Sequence, residues 1–222
     1  MTKIPIIYAT GSPFKREEID AICADSQLGL LDGSRGRVGD LFEFTFRQVP
    51  MHEVLERDLV EMIRHKARAA YSRLQIPCIV EHGGLIFEEH KDVSYPGGLT
   101  QPMWDALGAD AFLKETGGAG RRVIARAAVG YCDGSSVAAF VGDTHGSLAT
   151  APRGRRGYYW DPVFQPDNPI ASPSAASRTY AEIADSPDGL AEKVRISQST
   201  KAMLAFLEHR LAVGEAPLFR GA

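Results

Sequence analysis

The sequence predicts an α/β protein in which helices pack on a mixed β-sheet in one elongated unit. Three observations predict this class. Short β-branched and aromatic runs alternate with segments whose apolar residues recur at helical spacing. The first such run leads through a tight turn into a helix, and two later runs flank an Asp-Gly turn. The 222 residues are 44% hydrophobic and 24% charged, which are ordinary values for a globular domain with a sizeable core.

The amino-terminal part of the chain predicts strand, turn, helix, loop and strand. Residues 4–9 are apolar and end at a Thr-Gly-Ser-Pro turn, which predicts a first strand. Residues 14–24 follow with isoleucines on one helical face. Residues 28–40 carry four glycines among charged residues, so we expect a mobile loop there. Residues 41–49 alternate apolar and polar side chains, which predicts a strand.

The middle of the chain predicts a helix, a buried strand and a second helix. Residues 54–74 form a long amphipathic pattern. Residues 76–80 are an apolar run typical of a buried strand, and the Gly83-Gly84 pair predicts a turn soon after it. Residues 102–116 predict a helix that ends at a following glycine-rich run.

The carboxyl-terminal part of the chain predicts a hairpin and a closing helix. Strands are expected at 123–131 and 137–143, on either side of the Asp133-Gly134 turn. The remaining expectations are a further short strand at 146–150, an exposed loop at 168–177, a helix at 197–213 and a loose tail at 214–222. Residues 1–213 are therefore expected to form a single α/β domain.

Charge and cysteine content narrow the class of function. The formal net charge of −3 gives no general reason to expect binding to nucleic acid or to a membrane. No apolar run approaches the length of a membrane span, and the amino terminus does not resemble a signal peptide. Cys78 and Cys132 lie in apolar runs without CxxC spacing, which predicts buried free thiols in a reducing compartment. We expect a cytoplasmic protein.

The first turn has the composition of a phosphate-binding site. Thr10, Gly11 and Ser12 precede a predicted helix whose unpaired N–H groups and dipole favour an anion, and Lys15 follows one turn later. The structural alternative is a helix capped by Thr10 or Ser12 with a solvated lysine. The Walker pattern GxxxxGK is absent from this turn.

The stretch CIVEHGGL places Glu81 and His82 at the end of the predicted buried strand, where an α/β enzyme commonly carries an acid. A second carboxylate at His82 would make a metal site. Lys66 lies on the preceding helix, where an isolated lysine is most often solvated.

A later segment, at residues 153–161, could contact a base. The basic loop 153–157 leads into Tyr158, Tyr159, Trp160 and Asp161. Aromatic rings stack on bases and an aspartate accepts hydrogen bonds from base N–H groups; the alternative is that Trp160 and Phe164 are ordinary core.

A lysine and an arginine precede the predicted helix at 197–213. Lys193 and Arg195 come just before Ser197, which is suited to cap the helix. The structural role of Ser197 is the simpler interpretation of this segment taken alone.

Together and in this order, the motifs resemble those of the inosine triphosphate pyrophosphatase family, which hydrolyses deaminated purine nucleoside triphosphates. The matching segments are the turn at 10–15, Lys66 with VEHGGL, the proline-glycine segment at 95–98, the block at 152–183 and the closing segment at 192–203. The resemblance implies an elongated mixed sheet with two lobes, a nucleotide cleft between them and a homodimer. The nucleotide-binding positions it implies are Thr10, Gly11, Ser12, Lys15, Lys66, Tyr158, Tyr159, Trp160, Asp161, Lys193, Ser197 and Gln198.

The departures from the family pattern concern metal binding first. His82 stands where the family has a carboxylate that binds Mg²⁺ and helps to activate water, and neutral imidazole is a poor ligand for this hard ion. Glu81 remains, and Glu53 could replace a further metal-binding glutamate only if its loop shifts. The base-reading pair of the closing motif is also changed, to Gln198-Ser199.

Three functional hypotheses follow. The leading one is a nucleotide sensor that binds ITP, dITP or XTP with impaired or absent pyrophosphatase activity and reports to an effector protein; by resemblance, degenerate members of this fold act so in bacterial antiviral operons. The second is an active pyrophosphatase in which Glu81, Glu53 or a downstream acid such as Glu88 holds Mg²⁺ and His82 acts as general base, as an ordinary histidine pKa would permit. The third is a scaffold that binds no nucleotide.

Overall fold

A computed structural model of the chain describes residues 2–30, 33–51, 53–167 and 178–213. The strands are β1 (Ile4–Ala9), β2 (Gln27–Gly29), β3 (Arg35–Arg37), β4 (Phe42–Arg47), β5 (Cys78–Phe87), β6 (Pro96–Gly97), β7 (Arg122–Cys132), β8 (Val137–Leu148) and β9 (Phe164–Pro166). The helices are α1 (Pro13–Asp25), α2 (Val38–Leu41), α3 (Leu59–Leu74), α4 (Thr100–Glu115), α5 (Tyr180–Ala184), α6 (Gly189–Ile196) and α7 (Gln198–Val213), with a 3₁₀ helix at Glu88–Val93.

The main sheet is mixed. Its strands lie in the order β4-β1-β5-β7-β8-β9, and β6 pairs with β5 outside this path. The pairs β1–β4 and β1–β5 are parallel, since helical segments connect these strands, whereas β5, β7, β8 and β9 pair antiparallel. The predicted class, an α/β fold with a mixed sheet and flanking helices, is confirmed. The division into two lobes stays a prediction.

Both faces of the sheet are covered by apolar side chains. On one face Tyr8 and Ile79 pack in a cluster with residues of α1 and α7. On the other face Ala9 and Val80 pack with residues of α3. Successive residues of a strand point to opposite faces. Glu81 therefore lies on the face of α1 and α7, and the next residue, His82, lies on the face of α3.

The segment 28–40 was expected to be a mobile loop, and this expectation is wrong. The described part of it contains the hairpin of β2 and β3 and the short helix α2. Leu28 and Val38 are 1% and 0% exposed and belong to the core cluster of α1. Gly39 allows close packing, because a Cβ there would lie 2.8 Å from the Cys23 carbonyl oxygen. Gly36 and Gly39 thus serve close packing, since a Cβ at Gly36 would lie 2.9 Å from the Leu41 side chain.

The long helix was expected to begin at residue 54, but α3 begins at Leu59. Asp58 caps it, since its carboxylate accepts a hydrogen bond of 2.8 Å from the Val60 N–H. The preceding residues form an irregular segment in which the Leu55 side chain is 77% exposed.

The turn expected at Gly83-Gly84 is also wrong. Strand β5 continues through both glycines to Phe87. Gly84 has a packing role, because a Cβ there would lie 2.1 Å from the carbonyl oxygen of Gly97 on β6. The separate strand expected at 146–150 is likewise part of β8, which runs unbroken to Leu148.

Several short elements gave no clear signal in the sequence: β6, β9, α5, α6 and the 3₁₀ helix. The predicted helix at 102–116 is present as α4, with a break at Gly108, where φ is 69°. Cys78 and Cys132 are opposite each other on β5 and β7 as buried free thiols, as expected. The predictions for 168–177 and 214–222 lie outside the described residues.

No helix among the described residues is both long enough and apolar enough to cross a membrane.

The close contact at Gly84 generates a stability prediction. Gly84→Ala should lower the free energy of unfolding by about 3 kcal/mol or more, because backbone must move away from backbone. The matched control is Gly83→Ala in the same strand, where the nearest atom to a new Cβ would be 3.6 Å away. Urea denaturation of both variants measures the difference, and equal losses would contradict the packing role of Gly84.

Candidate functional site

A cleft of about 270 Å³ opens at the end of β1, beside β5 and the amino ends of α1 and α7. It is lined by all of the residues predicted for the site except Ser197: Thr10, Gly11, Ser12, Lys15, Glu53, Lys66, Glu81, His82, Tyr158, Tyr159, Trp160, Asp161, Lys193 and Gln198. The fold thus brings together residues that are separated by up to 188 positions in the sequence.

The turn after β1 directs backbone N–H groups and a lysine into the cleft. Ser12 is the N-cap of α1, and its hydroxyl accepts a hydrogen bond of 3.4 Å from the Lys15 N–H. The Thr10 hydroxyl accepts another, of 3.1 Å, from the Ser12 N–H. The predicted cap is therefore present, but Lys15 is not a solvated lysine: its side chain is 13% exposed. This helix end has the geometry of an anion site.

Two lysines converge on the backbone carbonyl of Glu81. The ammonium groups of Lys15 and Lys66 donate to this oxygen over 2.8 and 3.4 Å. Lys66 is 11% exposed and forms an ion pair with Glu53. Burial, reinforced by the charge of Lys15, lowers the pKa of Lys66. The sequence-based alternative of a solvated Lys66 is wrong, because the helix turns this side chain into the cleft.

The Glu81 side chain is tied down by its neighbours. It is 6% exposed, accepts a hydrogen bond of 2.5 Å from the Tyr8 hydroxyl, and lies 3.9 Å from the Lys15 ammonium. Burial opposes its ionisation, but Lys15 and the hydrogen bonds from Tyr8 and Ser199 outweigh burial and lower the pKa of Glu81. The carboxylate is therefore ionised at neutral pH.

His82 is a buried, neutral imidazole. It is 4% exposed, and its Nδ1 lies 3.6 Å from a carboxylate oxygen of Glu53. Its Nε2 is buried and has no hydrogen-bond partner among the described residues. Burial, together with the charge of Lys66, lowers the pKa of His82 to about 3. The ordinary histidine pKa assumed for a general base at this position is thus wrong, and a group of such low pKa is a weak base.

The residues around Glu81 do not fit a Mg²⁺ site. This ion is usually held in near-octahedral geometry by one or two available carboxylates together with phosphate oxygens and water. The Glu81 carboxylate is engaged by Tyr8 and Lys15, the Glu53 carboxylate is engaged by Lys66, and the nitrogen of His82 is a poor substitute. Across the described ranges, no three His, Cys, Asp or Glu side chains form a group able to hold a metal ion.

A second charged cluster lies deeper in the cleft. The Lys193 ammonium donates to Asp161 over 2.6 Å and to Glu18 over 2.7 Å. Burial raises the pKa of Asp161 to about 6. Burial opposes the charge of Lys193, but Asp161 and Glu18 outweigh it and raise the pKa of this lysine. Lys193, expected among the phosphate-binding lysines, is therefore held in a compensated buried network.

The aromatic block, residues 158–164, contributes both to the core and to the wall of the cleft. Trp160 is 6% exposed and packs on Phe164 in the core, at 5.6 Å between ring centroids. The core alternative for both residues is confirmed, although Trp160 also borders the cleft. The Tyr158 ring stacks at 5.0 Å on Phe14 of α1. The Tyr159 hydroxyl accepts a hydrogen bond of 3.1 Å from Gln101.

The amino end of α7 also faces the cleft. Ser197 caps this helix, since its hydroxyl accepts a hydrogen bond of 3.2 Å from the Thr200 N–H, and it does not line the cleft. Gln198 does line it, and its side-chain oxygen accepts a hydrogen bond of 3.1 Å from Tyr180. The structural role proposed for Ser197 is confirmed.

Sequence reasoning missed Tyr8, Glu18, Gln101 and Tyr180 as parts of the site. A signal existed for two of them. Glu18 lies four residues before Ile22, on the apolar face of α1, and an acid on such a face needs a buried partner. Tyr8 is a hydroxyl-bearing residue in an apolar strand and needs an acceptor.

Comparisons with known proteins agree with this architecture. A model of the family described as the Ham1 family matches residues 6–209. A dITP/XTP pyrophosphatase of Methanopyrus kandleri is 32% identical over 205 residues, which are 91% of this chain and 94% of that protein. Inosine triphosphate pyrophosphatase 2 of Trypanosoma cruzi is 29% identical over 206 residues, which are 92% and 91% of the two chains. The structure of a HAM1 protein from Coxiella burnetii has a TM-score of 0.64 at 22% identity, over 95% of this chain and 100% of that one, and supports the fold alone.

The buried His82 generates a pH prediction. The unfolded chain protonates this group near pH 6.5 and the folded chain only near pH 3, so the contribution to stability is present above pH 6.5 and is lost as the pH falls toward 3. Between pH 7.5 and 5 the loss should be about 2 kcal/mol. Urea denaturation at both values should show a smaller loss for His82→Gln. The exposed His65→Gln serves as control, and the same pH dependence in all three proteins would contradict the burial argument.

Proposed function

The chain belongs to the Ham1 family, and from that premise we propose that its cleft binds deaminated purine nucleoside triphosphates, such as ITP, dITP or XTP, with little or no pyrophosphatase activity. The observation that carries the proposal is the pair of lysines, Lys15 and Lys66, on one carbonyl oxygen beside a neutral His82. The cleft has the charge to hold phosphates but lacks a free acid or base at the same place.

The phosphate end of the nucleotide is assigned to the end of β1. There the two ammonium groups of Lys15 and Lys66 lie beside the positive end of the α1 dipole and offer donors and positive charge. A triphosphate can accept from all of these donors at once, whereas a single carboxylate could use only part of them. The printed names of the relatives, which are dITP/XTP and inosine triphosphate pyrophosphatases, support this ligand class.

The base end of the nucleotide is assigned to the aromatic block. Tyr158 and Tyr159 border the cleft, and their rings can stack on a purine. Gln198 lies at the same end, and because Tyr180 engages its oxygen, its amide nitrogen remains as a donor for a purine carbonyl oxygen. A 6-oxo purine fits this donor better than a 6-amino purine.

Weak hydrolysis follows from what the site lacks. Release of pyrophosphate requires an oriented water and neutralisation of charge that develops in the transition state. His82 is too weakly basic to take a proton from water at neutral pH, and the Glu81 carboxylate is held by Tyr8 and Lys15. Ground-state binding needs neither group.

A nucleotide-binding protein without turnover is suited to sensing. We assign it a role as a sensor or regulatory subunit, in the cytoplasm, as a homodimer that reports to an effector protein, with antiviral defence as one setting. A binding site that does not hydrolyse its ligand stays occupied for as long as the ligand concentration exceeds the dissociation constant. A sensor needs this lasting occupancy to act on its effector protein.

An active pyrophosphatase is the second candidate, and the 32% identity to a dITP/XTP pyrophosphatase favours it. It requires Glu81 and Glu53 to hold Mg²⁺, which their present partners do not fit, and His82 to act as base. A scaffold without a ligand is the third, and the burial of two lysines against one carbonyl argues against it.

Calorimetry with ITP and dITP, beside an assay of pyrophosphate release, tests the proposal. We expect both nucleotides to bind, and ligand at about 100 times its dissociation constant to add about 2.7 kcal/mol of stability. Pyrophosphate release should stay far below the roughly 1–1000 per second of ordinary enzymes. Turnover in that range would establish the second candidate, and the absence of both binding and thermal shift would establish the third.

The substitution His82→Asp should create Mg²⁺-dependent pyrophosphate release, because it adds an oxygen ligand beside Glu81. His82→Asn has nearly the same size without the charge and is the control that should stay inactive. The outcome that contradicts the proposal is a wild-type activity that His82→Ala abolishes.

A further inference from the structure

Glu53 lies at the phosphate end of the cleft, on the irregular segment between β4 and α3. One of its carboxylate oxygens pairs with the Lys66 ammonium and the other lies 3.6 Å from His82 Nδ1. Its side chain is 39% exposed while that of Lys66 is 11% exposed, so the acid reaches inward from the rim. An anionic group of the chain itself thus engages one of the two lysines that the triphosphate would need.

We propose that Glu53 is an internal counter-ion of Lys66 rather than a metal ligand, that the triphosphate displaces it, and that the nucleotide binds without a divalent cation. The proposal rests on the proposed function, since it concerns the same cleft. Beyond the proposed function, it says that lysines rather than a metal ion balance the negative charge of the triphosphate, and that the ion pair of Glu53 with Lys66 breaks when the nucleotide binds.

The need for a counter-ion follows from the two lysines. Lys15 and Lys66 both donate to the Glu81 carbonyl, so two positive charges are held close together in a poorly solvated place. The Glu81 carboxylate lies on the side of Lys15, where Tyr8 also engages it. Glu53 serves the same purpose on the side of Lys66. Each lysine therefore has one carboxylate in the free protein.

Exchange of anions is the simplest way for a triphosphate to enter. Phosphate oxygens that reach Lys66 would come next to the Glu53 carboxylate, and like charges at this separation repel. Glu53 is free to leave, because it is partly exposed. The residues after it are anchored: the Arg57 carbonyl accepts a hydrogen bond of 2.9 Å from the Gly98 N–H, and Asp58 caps α3. On the carboxyl-terminal side of Glu53, movement is thus limited to the exposed Val54 and Leu55 and the residue that follows them.

The same contacts disfavour a divalent cation at Glu53. A cation bound to this carboxylate would share it with the ammonium of Lys66, and it would face Lys15 as well. His82 offers one neutral nitrogen and no oxygen. With two lysines already placed for the phosphates, the charge that a metal would supply is provided by the chain.

The test compares ITP binding by calorimetry in EDTA and in excess Mg²⁺, with the wild type and with Glu53→Gln. We expect dissociation constants that agree within about threefold between the two conditions. Glu53→Gln should bind about tenfold tighter, because the competing anion is removed at almost unchanged size. Glu61→Gln on α3, where the exposed Glu61 pairs with Arg64, is the matched control and should bind like the wild type.

A second pair of variants guards against a misfolded mutant. Lys66→Met should weaken binding at least about tenfold in both conditions, while Lys114→Met, an exposed lysine near the end of α4, should not.

Each other outcome has a definite meaning. If ITP binds only with Mg²⁺ and Glu53→Gln weakens it, Glu53 is a metal ligand and the counter-ion proposal is overturned, while nucleotide binding stands. Unchanged affinity in Glu53→Gln also overturns it. If ITP binds neither with nor without Mg²⁺, the proposed function fails first.

Discussion

The convergence of two lysine ammonium groups on the backbone carbonyl of Glu81 governs the rest of the site. A carbonyl can accept from both only if it points out of the sheet ladder into the cleft, and β5 must remain extended on either side of it. Strand β5 does so because it pairs with β7 along its whole length, from Cys78 to Phe87. Since Lys15 comes from α1 and Lys66 from α3, one oxygen atom ties together helices that cover opposite faces of the sheet.

Two ammonium groups held so close together need negative charge nearby, and neighbouring carboxylates provide it. Glu81 and Tyr8 serve the lysine of α1, and Glu53 serves the lysine of α3. Deeper in the cleft a separate network pairs two cations, Lys193 and Arg156, with two carboxylates, those of Asp161 and Glu18. The two groups therefore differ in kind: the inner network is closed, whereas the outer one depends on an exposed glutamate that solvent or a ligand can draw away. The outer group is therefore the place to which the proposal assigns the anion.

The limits of prediction from sequence can be traced to single residues. The strand-turn-helix unit at Ser12 was predictable, because the capping serine, the proline after it and the helical spacing of the apolar residues all indicate the start of a helix at the same place. The role of Gly84 was not, since a glycine pair is compatible with a turn and with close backbone contact, and only the partner strand distinguishes them. Taken alone, Lys66 was expected to be solvated, because helical periodicity does not reveal that the facing surface is a cleft, and only the family resemblance predicted its place in the site. Glu18 was overlooked for the opposite reason: its buried partner lies 175 residues away.

The neutral side chain at His82 affects binding and hydrolysis in opposite directions. A carboxylate there would lower the positive potential around Lys66 and would offer an oxygen ligand to a cation; imidazole does neither. A polyanion is then attracted more strongly in the ground state, while the cation and the base that assist bond cleavage lose their place. Catalysis needs interactions that strengthen in the transition state, and fixed lysines that already neutralise the substrate mainly stabilise the bound state. The proposed binding with slow turnover is consistent with this combination of charges, and in that proposal Glu53, whose side chain is 39% exposed, is the charge that the ligand displaces.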